Sequence, residues 1–274
     1  MNYKNLGLRV LVGIFGVPVI LGSIWIGKLG FVALVLIIVT ISQLELYKLG
    51  IRKGTLPLKS IGIIGGIFLV LSFYYYPGEY TILVLLISSL LAFLIELFRN
   101  KPNPILNLNV TLGGLIYPAF VFSFSIFVRE IHRWTDFPEE TGRYLLLAIL
   151  ISTWICDTAA FFIGSKLGRK KLFPRVSPNK TIEGATGGFI FAILAMWGVH
   201  VTFFSSFPLV HLLVCGAICG SFGQIGDLME SLLKRDAGVK DSSNILPGHG
   251  GFLDRFDSIF ITMPVTYIYF KIFL

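Results

Sequence analysis

The sequence is poor in charge for its length. Asp, Glu, Lys and Arg make up 14% of its 274 residues, whereas soluble proteins average about 25%. Hydrophobic residues make up 55%, and the mean hydropathy is +0.81. This composition excludes both an ordinary soluble domain and a disordered chain, and it indicates a polytopic membrane protein.

Cysteine and histidine are also scarce, with three and four residues. Cys215 and Cys219 stand four residues apart, but no His or Cys partners follow them at the spacing of a zinc site. These two and Cys156 all lie within apolar runs. We therefore interpret the cysteines as small buried residues, and we expect neither a zinc site nor a disulfide framework.

Long apolar runs dominate the chain. A helix of about 20 apolar residues spans a bilayer, and the alternation over about ten residues that marks β-barrel strands is absent. We predict an all-α integral membrane protein, residues 1–274 forming a single membrane domain with about nine transmembrane helices. About five spans fall in residues 1–143 and about four in residues 144–274. The candidate spans are residues 8–27, 29–48, 61–76, 80–98, 109–128, 144–166, 184–204, 208–230 and 253–273.

The first apolar run is followed at once by a second and lacks a cleavage site. We expect it to be retained as a helix and not removed as a secretory signal. With nine spans, the connections after spans two, four, six and eight share one side of the membrane and carry sixteen Lys and Arg residues, against seven on the other side. Since basic loops stay in the cytoplasm, the polar loops of the second half are predicted to be cytoplasmic and both termini outside.

A polar stretch, residues 226–257, interrupts the apolar second half. Carboxylates at membrane depth cost about 2.5–3.5 kcal/mol each on insertion scales, so those in this stretch are functional candidates. Residues three and four apart share one face of a helix, and two oxygen-bearing faces brought together would suit Mg²⁺. The two faces consist of Asp227, Glu230 and Ser231, and of Asp254 and Asp257.

Basic residues and glycines lie between these two faces. Lys234, Arg235 and Lys240 supply positive charge, and residues 247–251 form a Gly-rich segment that contains His249. Bare backbone N–H groups in such segments bind phosphate. The pattern therefore favours a site for a phosphate-containing substrate at the membrane edge.

These residues resemble the signature of the phosphatidate cytidylyltransferase family, the CTP-dependent CDP-diacylglycerol synthases. An upstream stretch resembles the same family, so that the likeness covers roughly residues 154–257, although Asn179 stands where the family usually has Lys. The downstream matching positions are Ser231, Leu233, Lys234, Arg235, Lys240, Asp241, Ser243, Leu246, Pro247, His249, Gly250, Gly251, Phe252, Asp254, Arg255, Phe256 and Asp257. The upstream ones are Asp157–Phe161, Gly164, Gly168, Ser177, Pro178, Lys180, Thr181, Glu183 and Gly184.

The resemblance implies transfer of CMP from CTP to phosphatidic acid, which gives CDP-diacylglycerol and pyrophosphate in phospholipid biosynthesis. It implies a multi-pass protein of the cell membrane, with a polar active-site cavity on the cytoplasmic side and residues 144–274 as the catalytic half. The lipid phosphate is already an anionic nucleophile, so the reaction needs alignment and charge neutralisation more than proton abstraction.

Site roles follow from the resemblance and this chemistry. Mg²⁺ is expected as cofactor, and a second cation is compatible with the number of carboxylates. The expected metal ligands are Asp227, Asp254 and Asp257, with Asp157 and Glu230 as further ligands or as groups that support them. The expected catalytic residues are Lys234, Arg235, Lys240, His249 and Arg255, and the expected substrate-binding residues are Ser177, Lys180, Glu183 and Ser231.

Other interpretations remain open from the sequence. A related CTP-dependent transferase would act on another lipid phosphate, and an ion-coupled transporter would use the same carboxylates. No convincing inverted repeat of the kind found in transporters is present. Nucleic-acid binding is disfavoured because the basic residues lie in short loops between spans. Small-residue helix faces permit a homodimer without specifying one.

Two further carboxylates lie in the first half, each near the end of an apolar run. Glu96 precedes Arg99 by one turn and predicts a helix-end ion pair. Glu45 is interpreted as a carboxylate that reaches the surface or bonds a neighbouring helix, with a role in the site as the alternative.

Overall fold

The computed structural model describes residues 3–246, 248 and 250–274, and side chains from residue 12 onward. Most of these residues are helical. The helices are α1 (Tyr3–Ile26), α2 (Lys28–Arg52), α3 (Lys59–Tyr75), α4 (Glu79–Arg99), α5 (Pro104–Gly114), α6 (Phe122–Arg129), α7 (Glu139–Leu167), α8 (Ile182–Thr202), α9 (Leu209–Ile218), α10 (Gln224–Asp236) and α11 (Leu253–Phe273). Two strands, β1 (Lys171–Phe173) and β2 (Ser177–Thr181), form an antiparallel hairpin between α7 and α8.

Three further segments are helical but not α-helical. Leu115–Val121 is a π-helical segment between α5 and α6, and Cys219–Gly223 is another between α9 and α10. Each joins its neighbours into one continuous helix, Pro104–Arg129 and Leu209–Asp236. A 3-10 turn, Ile131–Arg133, follows α6. Since π segments often lie at functional sites, the segment Cys219–Gly223 indicates that α10, which follows it, belongs to such a site.

Six helical segments in the described part of the chain are long and apolar enough to cross a membrane. They are Lys28–Arg52, Glu79–Arg99, Pro104–Arg129, Glu139–Leu167, Ile182–Thr202 and Leu209–Asp236. The predominantly helical architecture and several apolar helices of membrane-spanning length agree with the prediction, whereas the all-α prediction missed the short hairpin of β1 and β2. The count of nine spans stays a prediction, because α3 and the described part of α1 are shorter and α11 falls outside the six.

The helices end where the sequence provides residues that break them. Gly78 has a φ of 101°, which a residue with a side chain rarely adopts, and it lies immediately before α4. Asn100 and Asn103 also have positive φ values, 48° and 57°, and enclose Pro102 between α4 and α5. Gly, Asn and Pro favour turns, so the local sequence accounts for both helix ends.

The chain forms two compact units. The first consists of Met1–Phe127 and Leu233–Phe256, and the second of Val128–Leu232 and Asp257–Leu274. Most of the polar signature therefore belongs to the unit of the N-terminal helices. The division into an N-terminal half and a catalytic half stays a prediction.

Buried polar side chains connect the helices of the first unit. Gln43 Nε2 of α2 donates to the carbonyl oxygens of Gly62 (2.8 Å) and Gly114 (3.0 Å). The Tyr47 hydroxyl donates to the carbonyl oxygen of Thr111 at 3.2 Å. Gly62 and Gly114 lie directly against the Tyr47 ring, where a Cβ would overlap it. The missing side chains thus allow α3 and α5 to approach α2.

The predicted ion pair at the end of α4 is present. Arg99 Nη1 lies 3.2 Å from Glu96 Oε2, and the side chain of Glu96 is nearly fully buried. Asn107 Nδ2 donates to the other oxygen of Glu96 at 2.7 Å. This carboxylate therefore fixes the turn between α4 and α5.

Small residues bring α7 and α8 into close contact in the second unit. A Cβ on Gly184 of α8 would lie 2.7 Å from the Ala160 carbonyl oxygen and 2.9 Å from the Gly164 Cα of α7. A Cβ on Gly188 would lie 2.9 Å from the Cys156 carbonyl oxygen. The small face expected on α7 is thus used for packing within the chain.

Gly184→Val is expected to lower the free energy of unfolding by about 1–3 kcal/mol, because the added atoms overlap the backbone of α7. Gly198→Val is the matched control, since it lies on the same helix with nothing within 4 Å of its Cβ position. Thermal unfolding in detergent measures both. Equal unfolding temperatures for the two variants would contradict this close packing.

Candidate active site

The hairpin between α7 and α8 positions the first candidate site residue, Lys180. Its strands pair Lys171 with Thr181 and Phe173 with Ser177, so Lys180 lies near the end of β2. Thr181 then caps α8, since its Oγ1 accepts from the N–H of Gly184 at 3.2 Å. This places Lys180 one residue before the cap of α8.

Lys180 forms an ion pair with Asp227 in the first turn of α10. The distance between Lys180 Nζ and Asp227 Oδ2 is 2.5 Å, and the two side chains are 27% and 30% exposed. The second oxygen of Asp227 accepts from the Ser231 hydroxyl at 3.3 Å. Partial exposure leaves this pair accessible to a ligand.

Glu183 fixes the basic loop that precedes the hairpin. It is half-buried at the start of α8, and its carboxylate accepts from the N–H groups of Arg169 (3.0 Å) and Lys170 (3.2 Å). In this structure Glu183 thus organises the backbone around the cations. Its direct binding of substrate stays a prediction, as does that of Ser177, which begins β2.

A second ion pair lies in the first unit, between α10 and α11. Lys234 Nζ is 2.5 Å from Asp254 Oδ1, and the side chains are only 10% and 5% exposed. Asp254 Oδ2 accepts three more hydrogen bonds, from Ser242 N (2.9 Å), Ser242 Oγ (2.7 Å) and Gly251 N (2.8 Å). A buried ion pair is tolerated when further hydrogen bonds complete it in this way.

The segment that joins α10 to α11, residues 237–252, we call the signature loop. Gly238, with a φ of 70°, ends α10. Arg235 Nη1 donates to the carbonyl oxygen of Val239 at 3.0 Å, so this cation is held by the start of the loop. Later, Leu246 N donates to the Gly250 carbonyl oxygen at 2.9 Å. The N–H of Gly251, which sequence reasoning offered to phosphate, points at Asp254 instead.

Glu45 of α2 binds this loop from inside the first unit. Its side chain is fully buried and accepts hydrogen bonds from Ser242, Ser243, Phe252 and Leu253. Sequence reasoning gave Glu45 a role in the site only as an alternative. The sequence signal for this role was a carboxylate within an apolar helix. Its partners lie about 200 residues away along the chain, so the sequence could not identify them.

The other predicted metal ligands are placed differently. Asp257 Oδ1 accepts from the next N–H in the chain, that of Ser258, at 2.6 Å. Gly226 lies against the Asp257 carbonyl oxygen, so Asp257 stands where α10 crosses α11. Glu230 is fully buried on α10, and Asp157 is exposed on α7.

Among residues 3–246, 248 and 250–274, no three Asp, Glu, His or Cys side chains converge into a group that could hold a metal. Asp227 and Asp254 each contact a lysine instead. Lys240 and Arg255 are exposed. His249 lies outside the described residues. The metal assignments and the roles of these three residues stay predictions.

Two cavities lie beside these residues. An apolar one of about 350 Å³ in the second unit runs between α8 and the helix that contains α10, and its lining includes Ile182, Phe189 and Leu228. A polar one of about 390 Å³ in the first unit is lined by Lys48, Ile51, Arg52, Ser242, Ser243 and Asn244. The first suits a hydrocarbon chain, and the second has the positive charge and hydroxyl groups that suit an anion.

Comparisons with known proteins identify the family. The model of the cytidylyltransferase family matches residues 7–273. The phosphatidate cytidylyltransferase of Bacillus subtilis (strain 168) is 32% identical over 275 residues, which cover 97% of this chain and 97% of that protein.

Two staphylococcal relatives match about half of the chain at higher identity. The phosphatidate cytidylyltransferase of Staphylococcus saprophyticus is 46% identical over 127 residues, 46% of this chain and 48% of that protein. That of Staphylococcus haemolyticus is 48% identical over 125 residues, 45% and 47% of the two chains. Because the family model covers nearly the whole sequence, this chain belongs to the cytidylyltransferase family.

Proposed function

We propose that this protein is a CTP:phosphatidate cytidylyltransferase, which transfers CMP from CTP to phosphatidic acid and releases pyrophosphate. The observation that carries the proposal is that two lysines of the family motifs, Lys180 and Lys234, are each held by an aspartate, Asp227 and Asp254. A chain 32% identical to this one over nearly its full length bears the name of that activity.

The two lysines are the proposed phosphate-binding groups. Attack of one anionic phosphate on another requires fixed positive charge. Lys180 and Lys234 are each held by a carboxylate, which keeps the ammonium group in place and limits the freedom it must lose on binding. Lys240 and Arg255, both exposed, are assigned to the outer phosphates of CTP or to the lipid phosphate.

For Mg²⁺, we propose Asp227 and Asp257 as the protein ligands. Mg²⁺ usually takes only one or two carboxylates and completes its shell with water and substrate phosphates, so a cluster of three is not required. Asp227 is partly exposed, and Asp257 stands at the crossing of α10 and α11. When bound, Mg²⁺ would neutralise charge on the phosphates of CTP.

Asp254 fits a ligand role less well, since its side chain is only 5% exposed and its oxygens accept four hydrogen bonds, whereas Asp227 is 30% exposed. To bind a metal, it would have to release Lys234. We therefore assign Asp254 to holding Lys234 and the signature loop. The alternative is the sequence-based prediction that all three aspartates bind the metal. A metal titration distinguishes these two assignments.

The apolar cavity beside α8 is the proposed site for an acyl chain. Leu228 follows Asp227 in the sequence, and Ile182 follows Lys180 by two residues, so the cavity adjoins the ion pair. The tails of the lipid must stay in an apolar environment while its phosphate meets a water-soluble nucleotide. An apolar cavity whose lining includes sequence neighbours of Lys180 and Asp227 supports this assignment.

The orientation belongs to the same proposal. The excess of basic residues in the loops after spans two, four, six and eight supports a cytoplasmic active-site cavity and outer termini in a protein with nine spans. CTP is a cytoplasmic nucleotide, which agrees with that side. A homodimer stays a sequence-based prediction, because the small residues of α7 pack against α8 of the same chain.

Asp227→Asn is expected to lower kcat for CDP-diacylglycerol formation by about 100-fold or more, since it removes the charge that positions Lys180. The assay uses purified protein in detergent micelles with phosphatidic acid, CTP and Mg²⁺, and measures liponucleotide and pyrophosphate. Asp236→Asn is the matched control on the same helix, because Asp236 forms an exposed pair with Lys53. Equal rates for both variants, or a wild type that forms no liponucleotide, would refute the proposal.

A Mg²⁺ titration distinguishes the two metal assignments. Loss even of a group that supports a ligand lowers metal affinity about 10- to 100-fold, so Asp227→Asn and Asp257→Asn are expected to raise the half-saturating Mg²⁺ concentration at least tenfold. Asp254→Asn is expected to lower kcat without that shift. If all three variants shift equally, the centre with three aspartates is correct.

A further inference from the structure

Glu45 is a buried carboxylate with an unusual number of partners. It lies in α2, with its side chain fully buried within the first unit. Its partners are separated from it by 197 to 208 residues along the chain. An ordinary packing position in an apolar helix has no need of a charge, which is costly at membrane depth. The contacts of Glu45 therefore require a specific explanation.

Both oxygens of Glu45 accept hydrogen bonds. Oε1 accepts from the Ser243 hydroxyl at 2.5 Å and from the Phe252 N–H at 3.1 Å. Oε2 accepts from the Leu253 N–H at 2.8 Å and lies 3.1 Å from the Ser242 hydroxyl, whose single proton it shares with Asp254 Oδ2. Three donors and one shared hydroxyl surround the two oxygens of this carboxylate. The group is thus used as an acceptor only.

The four donors lie at both ends of one segment. Ser242 and Ser243 are in the first half of the signature loop, whereas Phe252 and Leu253 form its end and the start of α11. One carboxylate therefore brings the two ends of residues 242–253 together. A negative group at the N-terminus of α11 is also favoured by the helix dipole.

The same contacts reach the Lys234–Asp254 pair. The Ser242 hydroxyl lies within hydrogen-bond distance of Glu45 Oε2 and also of Asp254 Oδ2. Gly251, whose N–H donates to Asp254, lies against Glu45 so closely that a Cβ would be 2.5 Å from both carboxylate oxygens. Asp254 is thus held by groups that Glu45 itself holds.

We propose that Glu45 is a positioning residue for the transfer reaction, which fixes the signature loop so that Asp254 keeps Lys234 in place for the substrate phosphates. This inference rests on the proposed function, in which Lys234 binds phosphate. Glu45 itself touches neither substrate. It acts through Ser242, Gly251 and the first turn of α11.

Glu45→Gln tests the proposal with a small change in shape. The amide keeps one acceptor oxygen but turns an N–H2 group toward two former donors. A serine hydroxyl can rotate and accept a hydrogen bond from the amide, but the backbone N–H of Phe252 or Leu253 can only donate. One of these two N–H groups would therefore face the amide N–H2 group and lose its acceptor. We expect kcat to fall about tenfold or more, and amide hydrogen exchange at residues 252 and 253 to accelerate by a similar factor.

Glu96→Gln is the matched control. Glu96 is also a buried carboxylate of the first unit, but its partners are Arg99 and Asn107, away from the signature loop. This variant is expected to lower the unfolding temperature while kcat and the exchange of residues 252 and 253 remain as in the wild type. If Glu45→Gln does not fold, Glu45→Asp is measured in its place, since it retains a shorter group that only accepts.

Each outcome decides the question. Faster exchange together with lower kcat in the Glu45 variant, and neither in the Glu96 variant, supports positioning. Lower kcat without faster exchange, faster exchange without lower kcat, or the same loss of kcat in both variants would overturn it. Failure of the proposed function is distinguishable, because it appears as a wild type that forms no CDP-diacylglycerol, whereas hydrogen exchange reports the contacts of Glu45 without substrate.

Discussion

A charge in a chain built for lipid must have a partner, and this constraint explains the arrangement of the site. Three buried carboxylates, Glu45, Glu96 and Asp254, accept hydrogen bonds from lysine, arginine, hydroxyl, amide or backbone groups. Their low exposure makes each of these partners necessary. The acidic residues therefore determine where the basic residues and the loops can lie.

Residues of the same type can consequently have different roles. Asp227 and Asp254 carry the same functional group, but Asp227 is partly exposed with one close cation, whereas Asp254 is nearly buried and has four donors. A group of the first kind can exchange its partner for a ligand. A group of the second kind fixes its surroundings. The difference arises from burial and not from residue type.

Local features of this fold could be predicted from the sequence. The turn at Gly78, the break around Pro102 and the capped start of α8 follow from residues whose preferred backbone geometry or side-chain chemistry acts within a few positions. The Glu96–Arg99 pair is also local. The family could be recognised because its motifs are long, although their spacing does not report which side chains meet.

Long-range pairing could not be predicted in the same way. Lys180 and Asp227 are 47 residues apart, and Lys234 and Asp254 are 20 apart. Sequence reasoning assigned the aspartates to metal and the lysines to phosphate, because only the folded chain brings an ammonium group to each carboxylate. Likewise, the membership of residues 233–256 in the unit of the N-terminal helices depends on contacts of Glu45 that no local pattern records.

The distance along the chain between Glu45 and its partners has a consequence for biosynthesis. Helix α2 leaves the ribosome early, whereas Ser242 to Leu253 follow 197 to 208 residues later. At about 5–20 residues per second, that interval is roughly 10 to 40 s. During this time Glu45 has none of these four donors, and α2 must remain in a state that tolerates the unsatisfied charge. The nascent protein therefore acquires its organised loop only when its last helix has been made, so that a truncated product lacks the site.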